Sequence, residues 1–348
     1  MSEKIENLLG EDRTFDPPSS IVENANATQE WFDLANEDRL AYWQKQALER
    51  ITWYKEPKEI LDDSDAPFYK WFKDGELNLS YNCLDRHLDT DGDRIAFYWE
   101  GEPGDSQEIT YQDLYERVCK LSNGLKELGV KKGDRIAIYL GMTPEIVISM
   151  LACARIGAVH SVVFGGFSAE ALADRINDAE AKIVITADGA WRRGDIVPLK
   201  QNVDDSLKLT DHIESVIVVK RTENEVTMVD GRDYWYSELV DKQEADCEPE
   251  VMNAEDMLYI LYTSGTTAKP KGIVHTQAGY LTGVTTTHSA VFDVKEDDIY
   301  WCAADCGWVT GHSYIVYGPL ANKTTSVMYE GAPNAPDEKR LWSCLLYT

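Results

Sequence analysis

The chain has 348 residues and a mass of 39.3 kDa, enough for one large domain or two ordinary ones with buried cores. Hydrophobic residues make up 43% of it and charged residues 27%, a composition typical of a folded globular protein and not of a disordered one. The formal net charge of -27 argues against a surface that binds nucleic acid or anionic lipid, because such surfaces need clustered Lys and Arg. Any anionic ligand must therefore be held by local groups.

The cysteines and the opening residues predict a cytoplasmic protein. The seven cysteines are an odd number spread over a long chain, and the opening "MSEKIENLLGEDR" has no apolar stretch of the secretory type. Cys302 and Cys306 lie four residues apart, but no second pair stands at zinc-site spacing, so we interpret them as buried inert thiols and expect no metal site in this chain. The apolar run near "IVISMLACA" stops at Arg155 and is too short to span a bilayer, so we expect no membrane partner.

The first 85 residues divide into two predicted segments. Residues 1–29 contain Pro17 and Pro18 among polar residues, which favours an irregular lead-in. Residues 30–85 contain, from Trp31 onwards, "WFDLANEDRLAYWQKQALERITWY", whose aromatic residues recur among acids and bases in a pattern typical of packed helices. We interpret residues 30–85 as an accessory segment and residues 86–348 as a separate domain.

The domain from residue 86 onwards begins an alternation of strands and helices. The stretch "ITYQDLYERVCKLSNGLKELGV" predicts an amphipathic helix with Thr110 as its N-cap and Gly129 as its C-terminal stop. The apolar run "DRIAIYL" is typical of a strand buried on both faces. Thr143, Pro144 and Glu145 then supply the cap, the first-turn proline and the acid of the next helix.

Further strands are predicted at "AVHSVVF", "KIVITAD", "IESVIVVK" and "DMLYILYT", and further helices at "SAEALADRINDAEA" and "HTQAGYLTGVTTTHSAVF". Strands that alternate with helices indicate an α/β fold with a mainly parallel sheet flanked by helices. Ligands of such sheets bind beyond the carboxyl ends of the strands, which is where the loop after "DMLYILYT" begins.

That loop, "TSGTTAKPKG" at residues 263–272, has the chemistry of a phosphate site. Hydroxyl groups, glycine-exposed amides and two lysines, Lys269 and Lys271, can together bind several phosphate oxygens of a nucleotide triphosphate. It is not a Walker A loop, because the G-x-x-x-x-G-K-[ST] pattern is absent and Pro270 stands where that motif starts its helix.

The loop resembles the phosphate-binding signature of the adenylate-forming superfamily. Three further stretches, "WFKDGELNLSYNCLDRHL", "AVHSVVFGGFSAEALADRI" and "CAADCGWVTGHSYIVYGPLANKTTSVMYEGAPN", are similar to the AMP-forming acetyl-CoA synthetase family. The resemblance covers the chain from about Trp31 to about Asn334. It implies that residues 30–85 are the family's N-terminal accessory segment and residues 86–348 an incomplete AMP-binding domain.

The resemblance implies two half-reactions. A carboxylate, expected to be acetate, attacks the α-phosphate of ATP to give acyl-AMP and diphosphate, and the CoA thiol then displaces AMP. Charge neutralisation and positioning matter more here than proton transfer. ATP, CoA and acetate are the implied small-molecule substrates, and Mg²⁺ is expected for the intact enzyme.

Site residues follow from the same resemblance. The implied ATP phosphate-binding residues are Thr263, Ser264, Gly265, Thr266, Thr267, Lys269, Lys271 and Gly272. The implied CoA-binding residues are Phe164, Gly165, Gly166, Arg192, Arg193, Gly194, Asp195, Thr310 and Asn334. Val309 and Thr310 fit the carboxylate pocket, and Arg192 is the expected partner of a CoA phosphate because its planar fork suits that group. His160 and His312 are interpreted as structural histidines.

The sequence departs from the family pattern at two positions and in length. Asp195 stands where the family usually has a base, and Ala268 stands where the loop usually has glycine. The chain is roughly half the family's length, so the small C-terminal domain and the adenylation lysine are expected beyond residue 348. Two alternatives stay open: a propionyl-CoA or other short-chain acyl-CoA synthetase, and a non-catalytic fragment that at most binds nucleotide or CoA.

Overall fold

The computed structural model describes residues 14–263 and 270–347. Its α-helices span Ser19–Asn24, Gln29–Glu37, Arg39–Arg50, Leu79–Cys83, Asp85–Asp91, Tyr111–Glu127, Pro144–Arg155, Ala169–Ala179, Leu199–Ser206, Tyr236–Val240, Gln277–Val291, Val309–Gly311, Gly318–Ala321 and Arg340–Tyr347. A 3₁₀ turn covers Leu207–Leu209 and a π-helical turn covers His312–Tyr317. None of the helices in these two ranges has the length and apolar character needed to cross a bilayer.

The strands are labelled in chain order. They are β1 Leu61–Asp62, β2 Lys70–Trp71, β3 Glu76–Leu77, β4 Ile95–Glu100, β5 Ser106–Thr110, β6 Arg135–Tyr139, β7 Val159–Val162, β8 Ile183–Ala187, β9 Ala190–Arg192, β10 Asp195–Val197, β11 Ser215–Val219, β12 Asp233–Trp235, β13 Met252–Asn253, β14 Met257–Thr263, β15 Lys271–Thr276, β16 Ile299–Trp301 and β17 Thr325–Tyr329.

The larger sheet of the described residues has the order β12-β11-β8-β6-β7-β14-β15. Its strands run parallel from β12 to β14. Every residue of β8 and β11 is buried, which explains their continuous apolar sequences. The predicted α/β fold with a mainly parallel sheet flanked by helices is therefore confirmed.

A smaller sheet in the described residues, with the order β16-β17-β4-β5, was not predicted from the sequence. Strands β16, β17 and β4 are parallel, and β5 completes the sheet as an antiparallel edge. The indole Nε1 of Trp99, on β4, donates a hydrogen bond to the Met142 carbonyl oxygen at 2.9 Å, just after β6. The carboxyl ends of β4 and β6 are thereby brought together.

Local sequence signals account for the helix boundaries. Thr110 Oγ1 accepts a hydrogen bond from the Asp113 amide at 3.0 Å, and the Asp113 carboxylate accepts one from the Thr110 amide at 3.2 Å. This reciprocal pair satisfies two amides that a helix start leaves without partners. Gly129 follows the helix with φ of +86°, a conformation that glycine adopts without steric cost. Both predicted ends of the helix are confirmed.

Two features differ from the sequence prediction. The lead-in is not irregular throughout, because Ser19–Asn24 is helical directly after Pro18, whose fixed φ suits a helix start. The residues after the phosphate loop form β15, which pairs antiparallel with β14 at the edge of the larger sheet. No strand was predicted there, since the side chains of residues 271–274 are exposed and show no burial pattern.

Candidate functional site

A cavity of about 400 Å³ lies at the carboxyl ends of the strands of both sheets. Its lining residues follow β6, β7, β9, β16 and β17 or stand at their ends. They are Met142, Phe164, Arg192, Trp301, Cys302, Ala303, Ala304, Asp305, Trp308, Thr310, Ile315, Met328, Tyr329, Gly331, Pro333 and Leu341. This is the position at which parallel α/β sheets bind ligands.

An aromatic wall with one cation forms part of this cavity. The Arg192 guanidinium carbon lies 5.2 Å from the Phe164 ring centroid, and the Trp308 ring lies 6.0 Å from the same ring. A guanidinium over an aromatic face gains cation–π attraction and keeps its N–H groups free at its edge. The structure thus brings together Phe164 and Arg192, two of the residues predicted for CoA.

Arg192 belongs to a tight hairpin between β9 and β10. Arg192 pairs with Asp195, and the two residues between them have positive φ, 57° at Arg193 and 80° at Gly194. The Gly194 amide donates a hydrogen bond to Glu102 Oε1 at 2.6 Å, and the Ala332 amide donates one to Glu102 Oε2 at 2.9 Å. Glu102 therefore joins the hairpin tip to the segment after β17, a role that no sequence motif indicated.

The two glycines after Phe164 lie in tight surroundings. A Cβ atom on Gly166 would stand 2.5 Å from Phe164 Cε1, and one on Gly165 would stand 3.2 Å from the Leu140 carbonyl oxygen. The Tyr139 hydroxyl holds this turn, because its single hydrogen lies between the carbonyl oxygens of Phe167, at 2.7 Å, and Gly165, at 3.1 Å. Sequence reasoning treated Tyr139 only as part of a buried strand.

The two residues predicted for the carboxylate pocket, Val309 and Thr310, lie in the segment after β16. Asp305 Oδ1 accepts a hydrogen bond from the Gly307 amide at 2.7 Å, and burial raises the pKa of this carboxyl above its usual range. Thr310 lines the cavity, whereas Val309 is exposed and is not among the lining residues. Asn334 is also exposed and follows the last lining residue of its loop, Pro333.

The two cysteines of this segment differ in environment. Cys306 is buried, as predicted, but Cys302 is half-buried and lines the cavity. Burial raises the pKa of both thiols, so both are protonated near neutral pH. The prediction of two buried thiols was wrong for Cys302, because β16 ends at Trp301 and the next residue faces the cavity.

The predicted phosphate loop connects β14 to β15. Thr263 pairs with Lys271 across the hairpin, and Tyr262 pairs with Gly272, so the three described site residues of the loop stand at its base. Thr263, Lys271 and Gly272 are exposed. The other predicted phosphate-binding residues lie outside the described residues, as does Ala268: Ser264, Gly265, Thr266, Thr267 and Lys269.

A group of histidine and tyrosine rings, buried except for the half-buried His275, connects this hairpin with the cavity. The Tyr259 ring, on β14, lies 4.5 Å from the His275 ring on β15 and 4.5 Å from His312, two residues after Thr310. His160 stacks on His312 at 5.8 Å. Burial lowers the pKa of His160 and lowers that of His312 to about 4, so both rings are neutral near pH 7. This agrees with the interpretation of both as structural histidines.

Two family profiles match this chain. The profile of the AMP-binding enzyme family matches residues 84–346. The chain belongs to the AMP-binding enzyme family. A second family profile, described as the acetyl-coenzyme A synthetase N-terminus, matches residues 18–83.

Similar curated proteins carry the name acetyl-coenzyme A synthetase. The one from Streptomyces avermitilis is 58% identical over 343 residues, which is 98% of this chain and 52% of the relative. The Streptomyces coelicolor protein is 57% identical over the same shares, and the Pasteurella multocida protein is 55% identical over 97% of this chain and 52% of its own length. The resemblance found in the motifs is confirmed, and the chain spans about half the length of these relatives.

Proposed function

We propose that this AMP-binding family member supplies the CoA pocket and part of the ATP phosphate site of an acetate–CoA ligase. That enzyme converts ATP, acetate and CoA to acetyl-CoA, AMP and diphosphate through acetyl-AMP. The observation that carries the proposal is the cavity with Arg192 over Phe164 at the carboxyl edge of the sheets. The names of the relatives support acetate as the acid.

The first half-reaction needs positive charge at the triphosphate. An acetate oxygen bonds to the α-phosphorus of ATP while the bond to the diphosphate leaving group breaks. Lys271 and Thr263, at the base of the hairpin, are proposed to bind the β- and γ-phosphates together with Ser264, Gly265, Thr266, Thr267, Lys269 and Gly272. Mg²⁺ commonly binds through substrate phosphates, and it is proposed to accompany ATP in the intact enzyme.

The second half-reaction needs CoA to be positioned. Its sulfur bonds to the acyl carbon while AMP leaves. We assign the CoA phosphates to Arg192 and Arg193 on the hairpin, which also carries Gly194 and Asp195, and the acyl group to the turn at Val309 and Thr310. Gly165, Gly166 and Asn334 complete the proposed CoA contacts. Asp195 stands beside Arg192 in the β9–β10 register and reduces the local positive charge.

Calorimetric titration of CoA into the chain tests the binding role. Arg192→Gln is expected to weaken CoA binding by about tenfold, because a charge-assisted hydrogen bond contributes roughly 1.5–3 kcal/mol. Arg117→Gln is the matched control, since Arg117 contacts Gln107 on the protein surface and lines no part of the cavity. Equal CoA affinity in the wild type and in Arg192→Gln would contradict the assignment.

A second candidate function is CoA or nucleotide binding without catalysis, which the cavity with Arg192 over Phe164 supports equally well. Acetate-dependent exchange of labelled diphosphate into ATP separates the candidates. Exchange by the 348-residue chain supports catalysis, whereas CoA binding without exchange supports binding alone. Replacement of acetate by propionate in the same assay tests the alternative of a propionyl-CoA or other short-chain acyl-CoA synthetase.

A further inference from the structure

A second cavity, of about 320 Å³, lies at the opposite end of the smaller sheet. Its lining includes Arg94, just before β4, Glu296, shortly before β16, and Thr324, just before β17. The 400 Å³ cavity begins where β16 and β17 end. Because a five-residue strand such as β17 spans roughly 16 Å, the two cavities are separate sites at the two ends of parallel strands.

The lining of this second cavity is cationic in a strongly acidic protein. Arg94, Lys295 and Lys323 line it together with one carboxylate, Glu296, whose side chain is 75% exposed. The whole chain has a net charge of -27. The lining thus carries three cations against one carboxylate, and this local excess favours an anionic ligand.

Both lysines are fixed by acids outside the lining. Lys323 Nζ lies 3.0 Å from Asp91 Oδ2, and Lys295 Nζ lies 2.8 Å from Asp293 Oδ1. Neither acid is among the lining residues. An ammonium group carries three donor hydrogens. Lys295 Nζ also donates to the Asn24 carbonyl oxygen and to Asn26 Oδ1 at 2.7 Å, so its three hydrogens are used and it offers a ligand only its charge. Lys323 Nζ has Asp91 as its close acceptor, with Glu296 Oε1 at 3.8 Å, and keeps a donor for a ligand.

His288 supplies a buried donor with no partner. The Asn322 side-chain nitrogen donates to the Thr285 carbonyl oxygen at 2.9 Å and lies 3.1 Å from His288 Nδ1. Because the carbonyl contact identifies this atom as the amide nitrogen, Nδ1 of His288 accepts and the ring proton lies on Nε2. His288 is 0% exposed, and its Nε2 has no hydrogen-bond partner among the described residues.

Arg94 supplies a second donor of the same kind. Its Nη2 donates to the Glu296 carbonyl oxygen, which orients the guanidinium, but its buried Nε has no hydrogen-bond partner within the described ranges. Two buried donors without acceptors in the lining of one cavity are costly unless a ligand accepts from them. A ligand with several acceptor oxygens and negative charge would satisfy both and accept from Lys323 as well.

We propose that the cavity between Arg94, His288, Lys295 and Lys323 binds an oxyanion of the phosphate class. The donors are the His288 imidazole N–H, the Arg94 guanidinium N–H and the Lys323 ammonium group, with the charge of Lys295 beside them. A phosphate group offers acceptor oxygens in several directions to match them. The volume leaves room for inorganic phosphate, for diphosphate or for the phosphate of a monoester. The site lies apart from the proposed substrate cavity and does not depend on the proposed reaction.

Titration of the chain with inorganic phosphate, in chloride buffer of matched ionic strength, tests the proposal by calorimetry. We expect saturable binding with a dissociation constant of about 1 mM or below. Lys323→Gln should weaken it by about tenfold, and Arg94→Lys by about fivefold although the charge is kept, because the Nε donor is lost. Lys242→Gln, which breaks an exposed ion pair with Glu127, is the control and should bind as the wild type does.

Several outcomes would overturn the proposal. One is the absence of saturable phosphate binding in the wild type, and another is a loss of phosphate affinity in Lys242→Gln equal to that in Lys323→Gln. A third is phosphate binding that survives Lys323→Gln but is lost in Arg192→Gln, which would place the anion in the substrate cavity. Circular dichroism checks that each variant is folded, and a wild-type melting temperature raised by phosphate but not by chloride supplies a readout without variants. Parallel titrations with diphosphate and with AMP distinguish a free anion from a phosphate monoester as the preferred ligand.

Discussion

The ion pair between Arg155 and Asp85 connects the first segment of the chain to the larger sheet's helices. The Arg155 side chain is 1% exposed, and its Nη1 and Nη2 each donate to an Asp85 oxygen at 2.8 Å. Its Nε donates to the Cys247 carbonyl oxygen at 2.5 Å, and its guanidinium lies 5.0 Å from the Tyr115 ring centroid. Burial by itself would lower the pKa of Arg155, but the Asp85 carboxylate raises it above the usual range.

Removal of one partner should be strongly destabilising. Arg155→Met leaves the Asp85 carboxylate, which is only 15% exposed, without a counter-charge, and breaking a buried pair in this way costs about 3–5 kcal/mol. The double variant Arg155→Met/Asp85→Leu removes both charges and should recover most of that loss. Urea unfolding followed by circular dichroism measures the free energy of unfolding of each variant.

The matched control for this cycle is Lys242→Gln. Lys242 and Glu127 form an ion pair at 2.6 Å whose side chains are 54% and 48% exposed, so its loss should change the free energy of unfolding by less than about 1 kcal/mol. If Arg155→Met costs no more than this control, or if the double variant is as unstable as the sum of the two single variants, the reasoning from burial is refuted.

Three further predictions concern a helix cap, the CoA turn and a buried histidine. Thr110→Ala removes the capping contact and should lower the free energy of unfolding by about 1 kcal/mol, and an unchanged urea midpoint would contradict this. Gly166→Ala should displace the Phe164 ring and weaken CoA binding by about tenfold in calorimetry, whereas wild-type affinity would show that the ring moves freely. His312 has a pKa lowered by burial to about 4 against an ordinary value of 6.5, so the unfolded chain binds a proton there between pH 6.5 and 4 and the folded chain does not. Stability should therefore fall as pH falls through this window, by about 2 kcal/mol from pH 7 to pH 5, and His312→Gln should remove that part of the pH dependence.

The sequence predicted elements whose signals lie within a few residues. The helix Tyr111–Glu127 has its N-cap, its acid and its C-terminal glycine at the expected positions, and the buried strands β8 and β11 are continuous apolar runs. The hydroxyls and lysines of residues 263–272 predicted a phosphate site for the same reason, and that assignment stays a prediction because Ser264 to Lys269 lie outside the described residues.

Contacts between distant residues could not be predicted in this way. Glu102 joins two loops through bonds to Gly194 and Ala332, which stand 92 and 230 residues away in the chain. Strand β15 has exposed side chains on both faces, so its sequence does not alternate between apolar and polar residues as a half-buried strand does. Its extended structure comes from antiparallel pairing with β14. The smaller sheet likewise assembles strands separated by more than 180 residues.

The sequence by itself determined the α/β class, most helix boundaries, the family resemblance and the kinds of side chain available for phosphate. These depend on local backbone preferences and on the order of residues in motifs, which the chain carries before it folds. Only the tertiary structure decided which of those residues share a cavity. Arg192 lies over Phe164 in one cavity, and Arg94 and His288 line the other. Sheet pairing and burial bring these distant segments to the two ends of the same strands.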